Sequence, residues 1–332
     1  MDFQLSEDQR DLATGVREFC EGRFDRDRMR DLVDKNRVAG MVDKKLWAEL
    51  AETGFFSLRV AEDEGGVGLG TAEAALVYEE AGRALLPGPL VATHLAASLG
   101  GEAAAGLAAG AASGELVVGL VAGDASPILV EHLDALDVLL VLDDDGIRRV
   151  SPSSVAGTPV RTPMDPFTPL HHVEALPEGE LIADAETAAR FRREGAVLTA
   201  AVQLGIAGKL TELSTQYAKE REQFGRIIGS FQAVKHLCAD MLVRTEIARA
   251  AVYAAAVTLD DPVVGDAAVA VPTAKLMADD AATRNGKDAT QVHGGMGFTW
   301  EVDVHLYLKR AWVHATQFGS AEDNEEALAL TL

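Results

Sequence analysis

Two short segments of this chain carry side chains suited to gripping a planar ligand that bears phosphate groups. Their notable residues are Arg221, Gln223, Phe224 and Gln232 in the first segment, and Gln291, Gly294 and Gly295 in the second. An arginine guanidinium donates charge-assisted hydrogen bonds whose geometry suits a pyrophosphate. Side-chain amides can fix the edge of a nucleotide base, and a phenylalanine offers an apolar face. Together the two segments predict one nucleotide-binding site.

The glycine pair supports this interpretation. Glycine tolerates positive φ, so Gly294 and Gly295 are expected to end a helix and to let a ligand approach the main chain. A positive φ is predicted at Gly295, where a branched side chain would then be strained. Taken singly, an arginine on a helix is more often a solvated charge, and a glycine pair is more often a plain helix end. The order of the two segments, with long helical sequence between them, favours the shared site.

Composition excludes several classes of function. The chain has 332 residues, 48% of them hydrophobic, which predicts a globular protein of two or three domains. A net charge of -22 argues against binding nucleic acid or an anionic membrane surface. The only cysteines, Cys20 and Cys238, lack metal-site spacing and suit reduced thiols. The start of the chain is acidic, unlike a signal peptide, and the most apolar stretch, residues 90–112, is interrupted by polar residues and glycines. A cytoplasmic protein that does not span a membrane is predicted.

The hydrophobic pattern divides the chain into three predicted domains. Residues 1–115 are predicted to be helical, residues 116–180 to form a small β domain with short apolar strands and a turn at 143–146, and residues 181–332 to form a helical bundle. Predicted bundle helices cover 185–220, 229–259, 266–292 and 301–317, with a last piece from 321. The predicted fold is therefore mainly α with a small β domain.

The two ligand-gripping segments resemble the carboxy-terminal half of the acyl-CoA dehydrogenase family. The order of helical domain, middle β domain and four-helix bundle is also that of the family, so the resemblance covers essentially the whole chain. It implies FAD as the cofactor and the α,β-desaturation of an acyl-CoA substrate. It further implies tetramers in which the flavin lies at a subunit interface, with its ADP end held by the neighbouring chain's arginine and Gln-x-x-Gly-Gly segments.

Features that the resemblance leads one to expect in the β domain are absent from the sequence. Family members hold the flavin ring with two strand segments of this domain. Residues 120–126 stand in place of the first segment, and no tryptophan of the second occurs between Trp47 and Trp300. The domain is also shorter than that of a full-length member. The chain is therefore predicted to lack a flavin-ring pocket of its own.

The catalytic base of the family is missing as well. The reaction needs a carboxylate near the α-carbon of the thioester. Many members place that glutamate after the fourth bundle helix, where gapless counting puts Gly319 in this chain. The chain is therefore predicted to contribute no catalytic residue at this position.

Other members place the base near the start of the first bundle helix, and Glu194 lies close to that position. Counting without gaps puts Gly195 at the matching position, and a shift of one residue turns a helical side chain by about 100°. Glu194 therefore remains a weak candidate for the base. The alternative is an acid on a solvated helix face among Arg190, Arg192 and Arg193.

Three interpretations follow from the resemblance. In the first, the chain is the non-catalytic subunit of a heteromeric (α2β2) acyl-CoA dehydrogenase, and lends the ADP-end half of the FAD site to a full-length homologue that acts as catalytic subunit. A steroid side-chain CoA thioester is the substrate that this resemblance suggests. In the second, the chain is a self-sufficient flavoenzyme that uses Glu194. In the third, it is a structural pseudoenzyme without flavin.

Overall fold

The computed structural model describes residues 4–34 and 42–331, and it is mainly α-helical with a small β region, as the sequence predicted. Contacts divide the chain into two compact units, which are described separately here. One unit holds residues 1–21, 71–85 and 196–332, and the other holds residues 22–70 and 86–195. This division differs from the three consecutive domains of the sequence analysis, which remain a prediction.

The first unit contains the helical bundle. Its described helices are α4 (Thr71–Ala84), α8 (Gln232–Asp260), α9 (Ala267–His293), α10 (Val304–His314), α11 (Ala321–Ala329), most of α1 (Glu7–Arg23) and the larger part of α7 (Ala185–Glu220). The long helices α7, α8 and α9 match the predicted bounds within about three residues, because each carries an apolar face over many turns. Helix α10 is shorter than predicted at both ends.

Small residues allow helices to approach closely in this unit. A Cβ at Gly205 of α7 would lie 1.9 Å from the carbonyl oxygen of Glu79 in α4, and a Cβ at Gly82 would lie 2.1 Å from that of Val202. At the crossing of α7, α8 and α9, the buried Asn285 amide donates to the carbonyl oxygens of Ala207 and Met241, at 3.2 and 3.1 Å. The ends of these helices are therefore held in fixed relative positions.

The second unit combines short helices with two small sheets. Its described helices are α2 (Arg26–Asp34), α3 (Lys44–Glu52), α5 (Leu90–Ala97) and α6 (Ala105–Ala112), and its strands are β1 (Val118–Ala122), β2 (Ile128–Glu131), β3 (Val138–Leu142), β4 (Gly146–Val150), β5 (Gly157–Pro159), β6 (Leu170–Val173) and β7 (Glu180–Asp184). The strand orders are β1-β3-β4-β7 and β2-β6-β5. Strands β1 and β3 are parallel, and the other paired strands are antiparallel.

Strand β7 lies where the sequence analysis placed the start of the bundle. It pairs with β4 and so extends the first sheet to Asp184, directly before α7. The hydrophobic pattern of this strand is weak, because Leu181 is 49% exposed and only Ile182 is buried. A five-residue edge strand of this kind has too short an alternation to be recognised beside a long helix.

Helix α7 is the one described helix with the length and composition of a membrane span. In its most apolar window of 18 residues, 83% of the residues are buried within the protein, as in the core helix of a bundle. From the sequence, residues 185–220 were predicted as a bundle helix and were not considered as a membrane span. The stretch that was considered, residues 90–112, is divided between α5 and α6.

Candidate functional site

The first ligand-gripping segment forms a β-hairpin directly after α7. Arg221 follows the last helical residue, and its backbone N–H donates to the Tyr217 carbonyl oxygen at 2.9 Å. Strands β8 (Glu222–Gln223) and β9 (Arg226–Ile227) pair across a two-residue turn in which Phe224 has φ 55° and Gly225 has φ 78°. Positive φ at both turn residues is the geometry that tight hairpins favour. The hairpin was not predicted from the sequence.

The turn presents an aromatic side chain to solvent. Phe224 is 92% exposed, and its ring meets the ring of Phe231 edge to face at a centroid distance of 6.2 Å. A bulky residue at positive φ is strained relative to the asparagine or glycine usually found in such turns. Backbone strain of this kind clusters at functional sites.

The second segment lies at the end of α9. The helix ends at His293, and the N–H of Gly294 donates to the carbonyl oxygen of Gln291. Nothing lies within 4 Å of a Cβ built on Gly294 or on Gly295, so both face open space. The positive φ of 60° belongs to Gly294, whereas the sequence analysis had placed it at Gly295. That assignment was wrong because Gly294, which directly follows the last helical residue His293, itself takes the positive φ at the helix end.

A buried cluster brings the two segments together. Ala218, Ile228 and Val292 form its core, and the partly buried side chains around it are Tyr217, Phe231, Val234, Leu237 and Cys238. These residues come from the end of α7, the base of the hairpin, the start of α8 and the end of α9. Each segment is thereby anchored by apolar neighbours, while the seven predicted ligand-binding residues all remain exposed around the cluster.

An aromatic stack also links the two segments. The rings of Tyr217 and His293 lie 4.2 Å apart with an interplanar angle of 21°. Burial lowers the pKa of His293, although its hydrogen bond with the Ala289 carbonyl oxygen, 2.8 Å from Nδ1, acts in the opposite direction. The ring is therefore neutral near pH 7, with Nδ1–H donating to that oxygen. Neither ring was predicted from the sequence to belong to the site, because a tyrosine or histidine in a helix is commonly an ordinary core residue.

Two guanidiniums in the hairpin segment form no ion pair within the part of the chain that the structure describes. Among the described residues, no carboxylate forms an ion pair with Arg221 or with Arg226. Arg226 instead lies over the ring of Phe231, 4.1 Å from its centroid. Arg226 was not among the residues predicted from the sequence, and its position five residues before Phe231 gave no sign of this contact. Exposed cations beside open glycines fit the phosphates of a nucleotide, so the residues present suit the ADP portion of FAD.

Glu194 is engaged in a buried ion pair. Its carboxylate accepts from Nη2 of Arg59 at 2.7 Å and lies 3.4 Å from Nη1 of Arg190. Burial raises the pKa of Glu194, but the hydrogen bond from Arg59 and the charges of both arginines outweigh it and leave the pKa below its ordinary value. The alternative of a solvated acid is wrong, since the residue is only 6% exposed. A low pKa and two arginine partners are also unfavourable for a general base.

The segment between α10 and α11 contains no carboxylate. Residues 314–320 read HATQFGS, and Gly319 has φ 103°. The buried Lys275 donates to the carbonyl oxygens of His314 and Gly319, at 3.1 and 3.3 Å, and pairs with Asp279 at 2.5 Å. The backbone of this segment is thus tied to α9. The nearest acids along the chain, Glu322 and Asp323, lie in the first turn of α11, where Asp323 takes part in a capping box with Ser320.

The loop after β1 lies where the first flavin-ring segment of the family is expected. A Cβ built on Gly123 would lie only 1.8 Å from Oδ1 of Asp143, so the Asp143 side chain covers this glycine. Asp143 in turn accepts from Nε of Arg148 at 3.0 Å. Across the described parts of the chain, no group of three or more histidine, cysteine, aspartate or glutamate residues is arranged to hold a metal ion.

Comparisons with known proteins agree with this fold. The domain family described as acyl-CoA dehydrogenase, N-terminal domain, matches residues 6–109, and the corresponding C-terminal domain matches residues 187–330. The acyl-CoA dehydrogenase IpdE2 of Mycobacterium tuberculosis is 38% identical over 273 residues, which are 81% of this chain and 80% of that protein. The acyl-CoA dehydrogenase FadE34 of the same organism is 36% identical over 81% of this chain but only 39% of its own length.

Solved structures share the fold. The Tcur3481-Tcur3483 steroid ACAD G363A variant superposes with a TM-score of 0.84 at 24% identity, covering 97% of each chain. The ChsE4-ChsE5 complex from Mycobacterium tuberculosis superposes with the same TM-score and identity, covering 99% of this chain and 98% of that one. On the two domain matches and the similarity to IpdE2, the chain belongs to the acyl-CoA dehydrogenase family.

Proposed function

We propose that this chain is a subunit of a heteromeric FAD-dependent acyl-CoA dehydrogenase and contributes the ADP-end half of an FAD site to a catalytic partner. In this proposal Arg221, Gln223, Phe224 and Gln232 of the hairpin segment, and Gln291, Gly294 and Gly295 of the helix end, hold the nucleotide. The flavin ring lies in the partner chain, a full-length family member in an α2β2 assembly. The pocket for the flavin ring and the general base both belong to that partner.

The proposal rests on one contrast. Residues that can bind a nucleotide are exposed, whereas the positions at which the family places its catalytic general base hold no free carboxylate. Arg221 has no carboxylate partner among the described residues, and Gly294 and Gly295 face open space. Residues 314–320 hold no acid, and Glu194 is paired with Arg59. A chain with these features can bind one end of a cofactor, and neither position at which the family places its base holds a free carboxylate.

The chemistry divides between the two chains accordingly. FAD, when bound, supplies the acceptor for the hydride that leaves Cβ of the acyl-CoA. The residues of this chain bind and orient the ADP portion, with Arg221 donating to phosphate oxygens and the amides of Gln232 and Gln291 available to the nucleotide edge. Fixing one end of the cofactor limits how far the other end can move, which favours a reactive geometry in the partner.

The similar proteins support the proposal of a partner chain and of a steroid thioester substrate. The two solved structures above are described as pairs of chains, and one of them as a steroid ACAD. FadE34 extends well beyond the region that matches this chain, since that region is 39% of its length. We therefore propose a full-length homologue as the partner and a steroid side-chain CoA thioester as the substrate class. The free thiols of Cys20 and Cys238 suit a cytoplasmic setting.

The proposal is tested by co-expression. The chain is purified alone and after co-expression with each full-length acyl-CoA dehydrogenase homologue of its own genome, and visible spectra are recorded. Flavin absorbance is expected only in a co-purifying complex, with turnover of an acyl-CoA in that complex alone. Stoichiometric flavin and turnover in the chain alone would establish a self-sufficient enzyme. A stable complex whose flavin content does not depend on this chain would establish a structural role without cofactor.

A further inference from the structure

The register of the hairpin places three polar side chains on one face. Residues directly opposite each other in an antiparallel ladder point to the same side, and so do alternate residues along a strand. Gln223 pairs with Arg226, and the Ile228 N–H donates to the Arg221 carbonyl oxygen at 2.7 Å. Arg221, Gln223 and Arg226 therefore share a face, with the buried Ile228 at its base, while Glu222 and Ile227 take the other.

The charge on this face is not balanced within the chain. The sequence carries a net charge of -22, so carboxylates are plentiful. Other arginines of the same unit form ion pairs with them: Arg17 with Glu80, Arg244 with Asp288 and Arg249 with Glu79. Arg221 and Arg226 have no such partner in the described chain, and the acid between them in sequence, Glu222, lies on the opposite face. Two neighbouring like charges repel, so the arrangement suits a multivalent anion supplied from outside.

Arg226 is held in place before any ligand arrives. Its guanidinium lies 4.1 Å from the centroid of the Phe231 ring, and Phe231 packs against the buried cluster beneath the hairpin. A cation–π contact restricts the long side chain while leaving its donors available. A pre-ordered side chain loses less conformational entropy on binding than a free one.

We propose that Arg226 is a second phosphate-binding residue, so that Arg221 and Arg226 together bind the two phosphates of a nucleoside diphosphate group. The inference rests on the proposed function, since it assigns a further ligand to the same nucleotide site. Gln223 pairs directly with Arg226 and lies two residues from Arg221 on the same face, so its amide is close enough in register to donate to the same diphosphate. The hairpin is thus the recognition element for the diphosphate, and the helix end at Gln291 and Gly294 serves the rest of the nucleotide.

The test measures flavin affinity in the assembled complex. Flavin is removed, and FAD is titrated back into complexes that contain Arg226→Gln, Arg226→Lys, Arg221→Gln or Arg193→Gln, with visible absorbance as the readout. Arg193→Gln is the matched control, because Arg193 is likewise exposed and without a carboxylate partner among described residues. Arg226→Gln is expected to weaken FAD binding by about tenfold, as for a lost charge-assisted hydrogen bond. Arg226→Lys should restore part of the affinity, since it keeps the charge but not the planar fork.

Two further measurements separate binding from structure. In the Arg226→Gln complex the affinity should depend less on salt than in the parent, because one screened charge contact is gone. The affinity for ADP alone, titrated into the flavin-free complex, should fall by a similar factor, because ADP carries the same diphosphate. The melting temperature of the flavin-free complex should change little, because Arg226 forms no ion pair with any described residue and an exposed cation–π contact contributes little to the free energy of unfolding. Dissociation of the flavin-free Arg226→Gln complex into its chains would assign the residue to a protein contact and overturn the inference.

The outcomes distinguish this inference from the proposed function. If Arg221→Gln weakens FAD binding and Arg226→Gln behaves like the Arg193 control, only the role of Arg226 is wrong. If neither variant differs from the control, the nucleotide site itself is wrongly placed, and the proposed function fails with it.

Discussion

The hairpin at Arg221 and the helix at Glu194 differ in the exposure and pairing of their charged side chains. At the hairpin, two guanidiniums and an aromatic side chain are exposed, and no carboxylate of the described chain neutralises them. At Glu194, a carboxylate is 6% exposed and is bound by Arg59 and Arg190. A buried, paired carboxylate is not available to a ligand, whereas an exposed guanidinium without a carboxylate partner is. The comparison indicates which of two motif-like residues is available for binding.

The largest expected effect concerns the stability of the unit that contains Glu194. Glu194→Gln removes the buried carboxylate that pairs with the largely buried Arg59, so the free energy of unfolding should fall by roughly 3 kcal/mol. Chemical denaturation of the complex measures this change. A double-mutant cycle with Arg59→Gln should show strong coupling between the two residues. If Glu194→Gln leaves stability unchanged but abolishes turnover with flavin still bound, the carboxylate is a catalytic base and the comparison is broken.

The pH dependence of stability tests the same ion pair. The pKa of Glu194 is lower in the folded chain than its ordinary value of 4.5. Its contribution is therefore fully present above the pKa of the unfolded state and is lost as pH falls through the folded pKa. Glu194→Gln should flatten the loss of stability on that acid side, as measured by denaturation at a series of pH values. An identical pH profile in parent and variant would contradict the low pKa.

The next effect concerns the hairpin. Arg221→Ala should release flavin from the complex, because losing one partner of a desolvated charged contact costs about 2–5 kcal/mol of binding free energy. Flavin content after gel filtration measures the loss, and circular dichroism should show an intact fold. Arg193→Ala serves as the control. Full flavin occupancy with parental affinity in Arg221→Ala would contradict the proposal that this chain contributes the ADP-end half of the FAD site.

A pair of glycine variants sharpens the site at the end of α9. Gly294→Val should both strain the helix end, where φ is 60° and ψ is -139°, and obstruct the nucleotide. Gly295→Val has no such strain and should act only by filling the open space beside the ligand. Melting temperature should therefore fall for Gly294→Val alone, while flavin affinity falls for both. Unchanged flavin binding in Gly295→Val would show that the ligand does not approach this backbone.

The smallest expected effect is at Glu322, the first acid after the segment where the family base is expected. Glu322→Gln should leave turnover of the complex within a few-fold of the parent, whereas loss of a true general base lowers the rate by about 10²–10⁴-fold. Steady-state kinetics with a saturating acyl-CoA measures the difference. A fall of that size with normal flavin content would mean that this chain supplies the base.

Much of the fold was predictable because long helices repeat their hydrophobic pattern over many turns. Helices α7, α8 and α9, and the turn between β3 and β4, fall where the sequence placed them. The hairpin at 222–227 was not predicted, because each of its strands is two residues long and has no period to detect. Phe224-Gly225 at its turn was the one local signal, since glycine is favoured in such turns.

The environment of Glu194 could not be predicted for a different reason. Its partner Arg59 is 135 residues away in sequence, so only the folded chain reveals the pair. The same holds for the stack of Tyr217 on His293 and for the position of Arg226 over Phe231. Residue type and spacing identified the cofactor-binding candidates, but the contacts that order them depend on tertiary packing.

The exposure of every nucleotide-binding candidate has a consequence for how a complex would behave on dilution. If two chains each hold one end of the same flavin, cofactor loading and subunit association become linked equilibria. Added flavin then shifts the chains toward assembly, and a low protein concentration lowers flavin occupancy even when flavin is in excess. The cofactor thereby acts as a stabiliser of quaternary structure, and its apparent affinity becomes a property of protein concentration.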